Sequence, residues 1–184
     1  MPSVSLTAHL AANCSFCRDV MCATMLHSQH RWRSAKMRFL SDRAHKLKIG
    51  WNERPLTEDD FHRLCRRHRI AIQEMPLRVS GFYYRLMGRD FIAIDSRLTG
   101  NARLIVMFHE LAHFLFHAPE SGVSANFHRI GQKTRQEIEA DAFALCSIIP
   151  LSAITDRDHR STFDDSIPES MLRERLDIFE RHGI

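Results

Sequence analysis

The sequence predicts a single α+β domain, built from a small antiparallel or mixed sheet and several helices. Residues 103–119 and 134–150 are two largely apolar runs of helical length, and residues 81–95 have the pattern typical of a β-hairpin. The chain has 184 residues, of which 44% are hydrophobic and 26% are charged. This length and composition are those of one globular domain with a sizeable core.

The first predicted helix of the domain begins after Thr57, whose side chain is suited to cap it. Acidic residues fill the next turn, where they interact favourably with the helix dipole. The predicted buried face consists of Phe61, Leu64 and Cys65. We expect this helix to end near Arg69 and to be followed by a short strand over residues 70–72.

A hairpin and a C-terminal helix complete the predicted framework. The hairpin has strands over residues 82–87 and 91–95, joined by a turn over residues 88–90. An edge strand can pair with an extended peptide, so the hairpin is a candidate wall of a substrate groove; a role only in the core explains the pattern equally well.

The last helix starts at about Pro168 and stops at Gly183. Its predicted buried residues are Leu172, Leu176 and Phe179.

Residues 1–48 are predicted to form a basic, poorly ordered extension before a domain over residues 49–184. Residues 31–48 contain seven Lys and Arg residues and one Asp. Such a cluster can contact nucleic acid or an acidic partner, but no nucleic-acid-binding signature accompanies it. We therefore expect a solvated surface and no direct binding to nucleic acid. A weak apolar pattern over residues 33–48 allows a helix with Phe39, Leu40, Ala44 and Leu47 on one side.

Four residues of the extension have a spacing close to that of a zinc knuckle: Cys14, Cys17, Cys22 and His27. The glycines that make the tight turns of a knuckle are absent, so we favour an extension without a second zinc site. The chain has five cysteines in all, an odd number. It also lacks a secretory signal pattern and an apolar run of membrane-spanning length. We expect reduced thiols and a cytoplasmic location.

The run over residues 103–119 contains an H-E-x-x-H motif. His109 and His113 are separated by four positions, and Glu110 follows the first of them. Residues four apart lie on one face of a helix, so both imidazoles can bind one tetrahedral Zn²⁺. Glu110 would project toward the position of the attacking water, which makes it the candidate general base of a hydrolase.

A zinc site of this kind needs a third protein ligand. The metzincin continuation, with a Gly and a third His, is excluded because Phe116 and Pro119 occupy those positions. His117 lies roughly 12 Å from His109 along the axis of a straight helix, which is too far for a shared ion. We therefore interpret His117 as a histidine that interacts with the last carbonyl groups of its helix.

The run over residues 134–150 supplies better candidates for the third ligand. Glu137 and Asp141 are four apart and share one face of the predicted helix, whereas Glu139 should point elsewhere. We predict that Glu137 binds the metal and that Asp141 accepts a hydrogen bond from a ligand histidine. Thr134 and Glu137 also fit a capping box, an alternative that would leave Asp141 unexplained.

The two motifs together resemble the ImmA/IrrE family of zinc metallopeptidases. Residues 109–117 are similar to the family pattern H-E-x-x-H-x-x-x-H, and residues 137–150 to E-x-x-A-N/D-x-F-A-x-x-L-L-x-P. The resemblance covers roughly residues 50–184 and is loose outside the motifs. The chain differs from the family pattern in two respects. Residues 147–150 read Ser-Ile-Ile-Pro, and the C-terminal part is short.

This resemblance implies a zincin-type metallopeptidase fold, with an active-site helix that carries the H-E-x-x-H motif and a second ligand helix. It also implies a zinc-dependent endopeptidase whose protein substrate is a regulatory, repressor-type protein, such as a helix-turn-helix repressor, cut in response to stress. One alternative is a non-catalytic anti-repressor or toxin–antitoxin module of the same fold. Others are a metallo-hydrolase with a non-peptide substrate and a structural helical protein without metal.

Overall fold

The computed structural model describes residues 37–118, 134–155 and 167–184. The predicted Cys14, Cys17 and Cys22 cluster lies outside these residues. The elements, in chain order, are α1 (37–46), α2 (Glu58–His68), β1 (Ala71–Met75), β2 (Gly81–Leu86), β3 (Arg89–Asp95), α3 (Gly100–Ala112), a π-helical turn (His113–His117), α4 (Arg135–Ile148), α5 (Leu151–Thr155) and α6 (Glu169–His182). The chain is therefore an α+β protein, as predicted.

The three strands form one mixed sheet in the order β1-β3-β2. β1 pairs with β3 in parallel, from Ala71 opposite Phe91 to Met75 opposite Asp95. β2 pairs with β3 antiparallel, from Gly81 opposite Ile94 to Leu86 opposite Arg89. Because a parallel and an antiparallel pair share β3, the prediction of a small mixed sheet is confirmed. β2 is an edge strand among the described residues.

The hairpin turn lies one residue earlier than the predicted turn over residues 88–90. Met87 and Gly88 form a two-residue connection, with positive φ values of 49° and 72°. Two consecutive left-handed residues match the twist of the flanking strands, which is why this turn is favoured in hairpins. The prediction was wrong here because Met87 is not a typical residue for a left-handed position. Met87 is 92% exposed, so it packs little against the described part of the chain.

α2 begins where predicted, because Thr57 and Asp60 form a capping box. The Thr57 hydroxyl accepts a hydrogen bond from the Asp60 backbone N–H, and the Asp60 carboxylate accepts one from the Thr57 N–H. The same carboxylate receives two hydrogen bonds from Arg54 and one from Arg63. The helix ends at His68, and the next residue, Arg69, caps it in the left-handed conformation with φ of 59°.

α1 lies in the segment that was predicted to be an extension. Three of its residues belong to the hydrophobic core: Met37, Leu40 and Ala44. Phe39 was predicted on the same side but is 59% exposed, because the buried stripe follows positions 37, 40 and 44. A compact unit of the chain extends from Met37 to Ile184. None of the described helices combines the length and the apolar character that crossing a membrane requires.

α6 ends at His182 and is capped by Gly183, the predicted stop, with φ of 71°. Its predicted apolar face is partly buried, but its deepest residues are Arg175 and Ile178. The Arg175 guanidinium is fully buried and donates to the Ile149 carbonyl at 2.8 Å, the Asn52 side chain at 2.8 Å and the Ile184 carbonyl at 2.6 Å. These hydrogen bonds connect α6 to the end of α4 and to the loop before α2.

Candidate metal centre

α3 carries the H-E-x-x-H motif in its last turn and the residue that follows it. Four neighbouring residues of the helix have no exposed surface: Met107, Phe108, Leu111 and Ala112. Because these residues pack in the core, the rotation of α3 about its axis is set. His109 and His113 consequently project toward α4, and their Nε2 atoms lie 3.1 Å apart.

Glu137 of α4 meets the two histidines. One carboxylate oxygen lies 3.2 Å from His109 Nε2, and the other lies 3.3 Å from His113 Nε2. The potential ligand atoms of the three residues all lie within 4.8 Å of one another, close enough to hold one metal ion. The Thr134 hydroxyl also accepts from the Glu137 backbone N–H at 3.4 Å. The capping and ligand interpretations of Glu137 are therefore compatible, because capping uses its backbone and leaves its carboxylate at the histidines.

Asp141 lies one turn further along α4, beside the other nitrogen of His109. Its carboxylate is 2.9 Å from His109 Nδ1. A proton held on Nδ1 by this carboxylate leaves the lone pair of Nε2 directed at Glu137 and His113. Burial lowers the pKa of His109, but the hydrogen bond with Asp141 and the charges of nearby carboxylates outweigh this effect and raise it above its ordinary value. The carboxylates around His109 therefore favour a positive charge at this position.

Glu110 contacts β2 of the sheet. Its carboxylate is buried and accepts a hydrogen bond from the backbone N–H of Tyr83 in β2, at 2.8 Å. Burial raises the pKa of Glu110 to about 7, although the charge of His109 and the Tyr83 N–H oppose this change. A carboxyl group with this pKa can both accept and deliver a proton near neutral pH.

Gly81 allows β2 to approach α3 closely enough for this hydrogen bond. A Cβ atom at this position would lie 2.6 Å from Val106 Cγ1, 2.9 Å from the Ala93 carbonyl oxygen and 3.3 Å from Glu110 Cγ. Both of the first two distances are shorter than real Cβ contacts. The absence of a side chain at residue 81 thus brings the edge strand and the buried carboxylate together.

His117 occupies a different place from the one predicted. α3 continues into a π-helical turn over His113–His117, and His117 Nδ1 lies 3.2 Å from His113 Nδ1. Its Nε2 atom lies 3.0 Å from the Glu139 carboxylate. The expectation that His117 interacts with the last helical carbonyls was wrong, because the π-helical turn widens the helix and turns the ring toward α4. Within the described residues, Glu139 does not belong to the group of potential metal ligands.

α1 also contacts the π-helical turn. Arg43 donates a hydrogen bond to the Leu115 carbonyl at 2.6 Å, and its guanidinium lies 5.2 Å from the centre of the Phe116 ring. This hydrogen bond satisfies a carbonyl group at the end of the helix, where the helix itself offers no further N–H donors. The π-helical turn is therefore fixed by contacts with α1 and α4.

Sequence reasoning identified His109, His113, Glu137 and Asp141, and the structure brings these four side chains together. It missed Gly81 and the His117–Glu139 pair. The four-residue spacing from His113 to His117 was a usable signal for the pair, since residues at this spacing are neighbours on a helix. The close approach at Gly81 leaves no comparable signal, because it depends on how the sheet and α3 pack.

Two histidines from one helix and a carboxylate from the next, with a buried glutamate beside them, define a site of the metallopeptidase class. The sequence model of the family Peptidase_M78, described as the IrrE N-terminal-like domain, matches residues 65–177. This match covers more than half of the chain, and the chain belongs to that family. The predicted family and zincin-like fold are thus confirmed, and the family implies a function of the metallopeptidase type. No curated protein and no solved structure matched the chain significantly.

Proposed function

We propose that this protein is a zinc-dependent endopeptidase that cleaves a repressor-type regulatory protein. The observation that carries the proposal is the convergence of His109, His113 and Glu137, from two separate helices, to within 4.8 Å. Glu110, the residue after His109, is buried, and its charge interacts with those of His109 and Glu137. Membership of the Peptidase_M78 family supports a peptidase in particular.

The donor set suits zinc better than most other metals. Two imidazole nitrogens and one carboxylate oxygen fill three positions of a tetrahedron and leave the fourth for water or substrate. Calcium and magnesium prefer oxygen ligands only, so two histidines argue against them. When bound, zinc would polarise the scissile carbonyl group and increase the acidity of a water molecule at the open position.

The residues of the chain handle the protons and hold the ligands. Glu110 accepts the proton of the attacking water and later delivers it to the leaving amine. The Tyr83 N–H fixes one oxygen of Glu110, so the other oxygen is available for this transfer. Asp141 keeps the proton of His109 on Nδ1 and leaves Nε2 for the metal.

β2 is the proposed wall of the substrate groove. It is an edge strand among the described residues, and the Tyr83 N–H faces Glu110 rather than β3. A substrate in extended conformation can add to such an edge through backbone hydrogen bonds, which hold a scissile bond without requiring a particular side chain. This arrangement favours an unfolded or flexible segment of a protein as substrate.

The repressor-type substrate and the stress-related role rest on the ImmA/IrrE resemblance of residues 109–117 and 137–150. A cytoplasmic location belongs to the same proposal. Cys65 and Cys146 are both free and buried. Burial raises the pKa of the two thiols to about 12 and about 11, so they are protonated and unreactive at neutral pH.

The test is incubation of the purified protein with candidate helix-turn-helix repressors, after loading with zinc or treatment with a chelator. We expect zinc-dependent cleavage by the wild type and cleavage slower by about 10²- to 10⁴-fold by Glu110→Gln, which keeps the size of the side chain and all three metal ligands. Mass spectrometry of the fragments locates the scissile bond. Cleavage by Glu110→Gln at the wild-type rate would contradict the assignment of the general base.

The same experiment separates a peptidase from a binding module. A repressor that is retained by the zinc-loaded protein but stays intact would favour the non-catalytic anti-repressor alternative. Metal analysis of the wild type and of His113→Ala tests the centre itself. Equal, negligible zinc content in both would rule out the metal site and with it the hydrolase proposal.

A further inference from the structure

The π-helical turn places a second histidine directly behind the metal ligand His113. The two imidazole rings are 5.2 Å apart between centres, and their Nδ1 atoms are 3.2 Å apart. The His117 side chain is only 4% exposed, and it faces Glu139 of α4 on its far side. His117, Glu139 and Arg135 thus form a chain that leads from the metal site to the surface.

Metal binding by His113 would give the hydrogen bonds of this chain one direction. His113 Nε2 faces His109 Nε2 at 3.1 Å and Glu137 at 3.3 Å. When this nitrogen gives its lone pair to a metal, the proton of His113 is on Nδ1. His113 Nδ1 then donates to His117 Nδ1, which leaves the His117 proton on Nε2. That proton is donated to Glu139 at 3.0 Å, and Arg135 donates to the other oxygen of Glu139 at 2.7 Å.

We infer that His117 and Glu139 are positioning residues for the metal centre: they hold His113 in the tautomer and orientation that metal binding needs. The inference rests on the proposed zinc site. It gives His113 the same kind of support that Asp141 gives His109 at 2.9 Å, with His117 interposed between imidazole and carboxylate. Partners of this kind, one bond beyond the ligand, typically increase metal affinity by about 10- to 100-fold.

His117 itself is not one of the ligands. Within the described residues, the group whose ligand atoms lie within 4.8 Å contains His109, His113 and Glu137. His117 contacts the opposite nitrogen of His113, the one that faces away from that group. Its substitution should therefore weaken metal binding without removing a ligand.

The experiment measures zinc affinity by competition with a chelating indicator, on the full chain. His117→Phe keeps an aromatic ring in the buried position but removes both nitrogens, and we expect the affinity to fall by about 10- to 100-fold. Glu139→Ala should lower it in the same direction. Glu139→Gln keeps an oxygen that can accept from His117, so it should lose less than Glu139→Ala.

His68→Phe is the matched control. His68 is a nearby histidine whose Nε2 has no hydrogen-bond partner among residues 37–118, 134–155 and 167–184, and its ring contacts Phe114 of the same π-helical turn at 5.5 Å between centres. We expect wild-type zinc affinity from this variant. A loss of affinity as large as that of His117→Phe would show that any change near the turn disturbs the site, and would overturn the inference.

A second readout is independent of zinc binding. Nitrogen-15 NMR of the chelated protein reports the tautomer of His113, and we expect the proton on Nδ1 in the wild type and a mixture in His117→Phe. A wild type with the proton on Nε2 would overturn the inference even if zinc binds. A wild type without zinc affinity but with the Nδ1 tautomer would instead count against the zinc proposal alone.

Unfolding temperatures separate positioning from stability. A lower unfolding temperature of the chelated His117→Phe protein with unchanged zinc affinity would mean that His117 is structural, and would refute the inference. If His117→Phe does not fold, the zinc affinities of the two Glu139 variants test the inference instead. The Glu139 carboxylate is hydrogen-bonded to His117 and Arg135 and lies outside the ligand group. Equal zinc affinity of Glu139→Ala and wild type would then be the refuting result.

Discussion

Replacing Gly81 with alanine tests whether β2 positions the proposed general base. The new Cβ atom would lie 2.9 Å from the Ala93 carbonyl oxygen and 2.6 Å from Val106 Cγ1, where ordinary contacts begin at 3.4 Å. The valine side chain can adjust, but the carbonyl is part of β3. The strand must therefore shift by about 0.5 Å or more, because a packed interior has no free space to absorb the overlap.

A shift of this size is enough to weaken the contact with Glu110. The Tyr83 N–H bond to the carboxylate is 2.8 Å long, and lengthening it to about 3.3 Å places it outside the usual range of N–H···O distances. We expect the cleavage rate to fall on the order of 10- to 100-fold, the range that misplacement of a catalytic group by up to about 1 Å produces. The unfolding free energy should fall by about 1–3 kcal/mol, as for other overpacked sites.

The assay compares repressor cleavage, zinc content and urea unfolding for Gly81→Ala and for the control Gly88→Ala. Gly88 lies in the hairpin turn with φ of 72°, and nothing lies within 4 Å of its added Cβ. The control should therefore lose about 1 kcal/mol of stability from backbone strain and keep its cleavage rate. Zinc content should be unchanged in both variants. If the Gly81→Ala variant cleaves the repressor at the wild-type rate, the role proposed for β2 is refuted.

Three further substitutions test the site and the fold. Glu110→Gln should lower the cleavage rate by about 10²- to 10⁴-fold, the usual contribution of a general base, while zinc content by metal analysis stays at the wild-type level. Glu137→Ala should remove one of three ligands and abolish stoichiometric zinc binding; retention of a full equivalent after dialysis would exclude Glu137 as a ligand. Asp60→Asn tests the acid stability of α2. Arg54 holds the pKa of Asp60 at about 2, below its ordinary 3.8, so the carboxylate stabilises the fold above pH 3.8 and loses this effect as the pH falls through 2. The shift corresponds to about 2.4 kcal/mol, reduced to about 1–2 kcal/mol because Arg54 is 48% exposed. Between pH 4 and 2, the wild type should lose more unfolding free energy than Asp60→Asn, by about this amount; equal losses would contradict the assignment.

Much of the candidate site could be predicted because it depends on spacing within single helices. His109 and His113 share a face, and so do Glu137 and Asp141, for the simple reason that four residues complete about one turn. The Thr57 cap of α2 and the end of α6 at a glycine follow from local backbone chemistry in the same way. Such features need no knowledge of what the helices pack against.

Other features could not be predicted, because they depend on contacts between distant parts of the chain. Arg175 donates to Asn52, 123 positions away, and a buried arginine in an apolar stripe has no local signature. The Phe39 error has the same origin, since the side of α1 that faces the core is decided by the elements it meets. The turn at Met87 depended on a left-handed conformation that its residue type disfavours.

The amino-acid sequence alone determined which residues could bind a metal and which helix each one belongs to, because side-chain chemistry and helical periodicity are local properties. Only the tertiary structure decided that α3 and α4 face each other at the distance one ion requires, that β2 reaches Glu110 and that His117 turns behind His113. These relations arise from the packing of a shared core, in which each helix is rotated and placed by all of its neighbours at once.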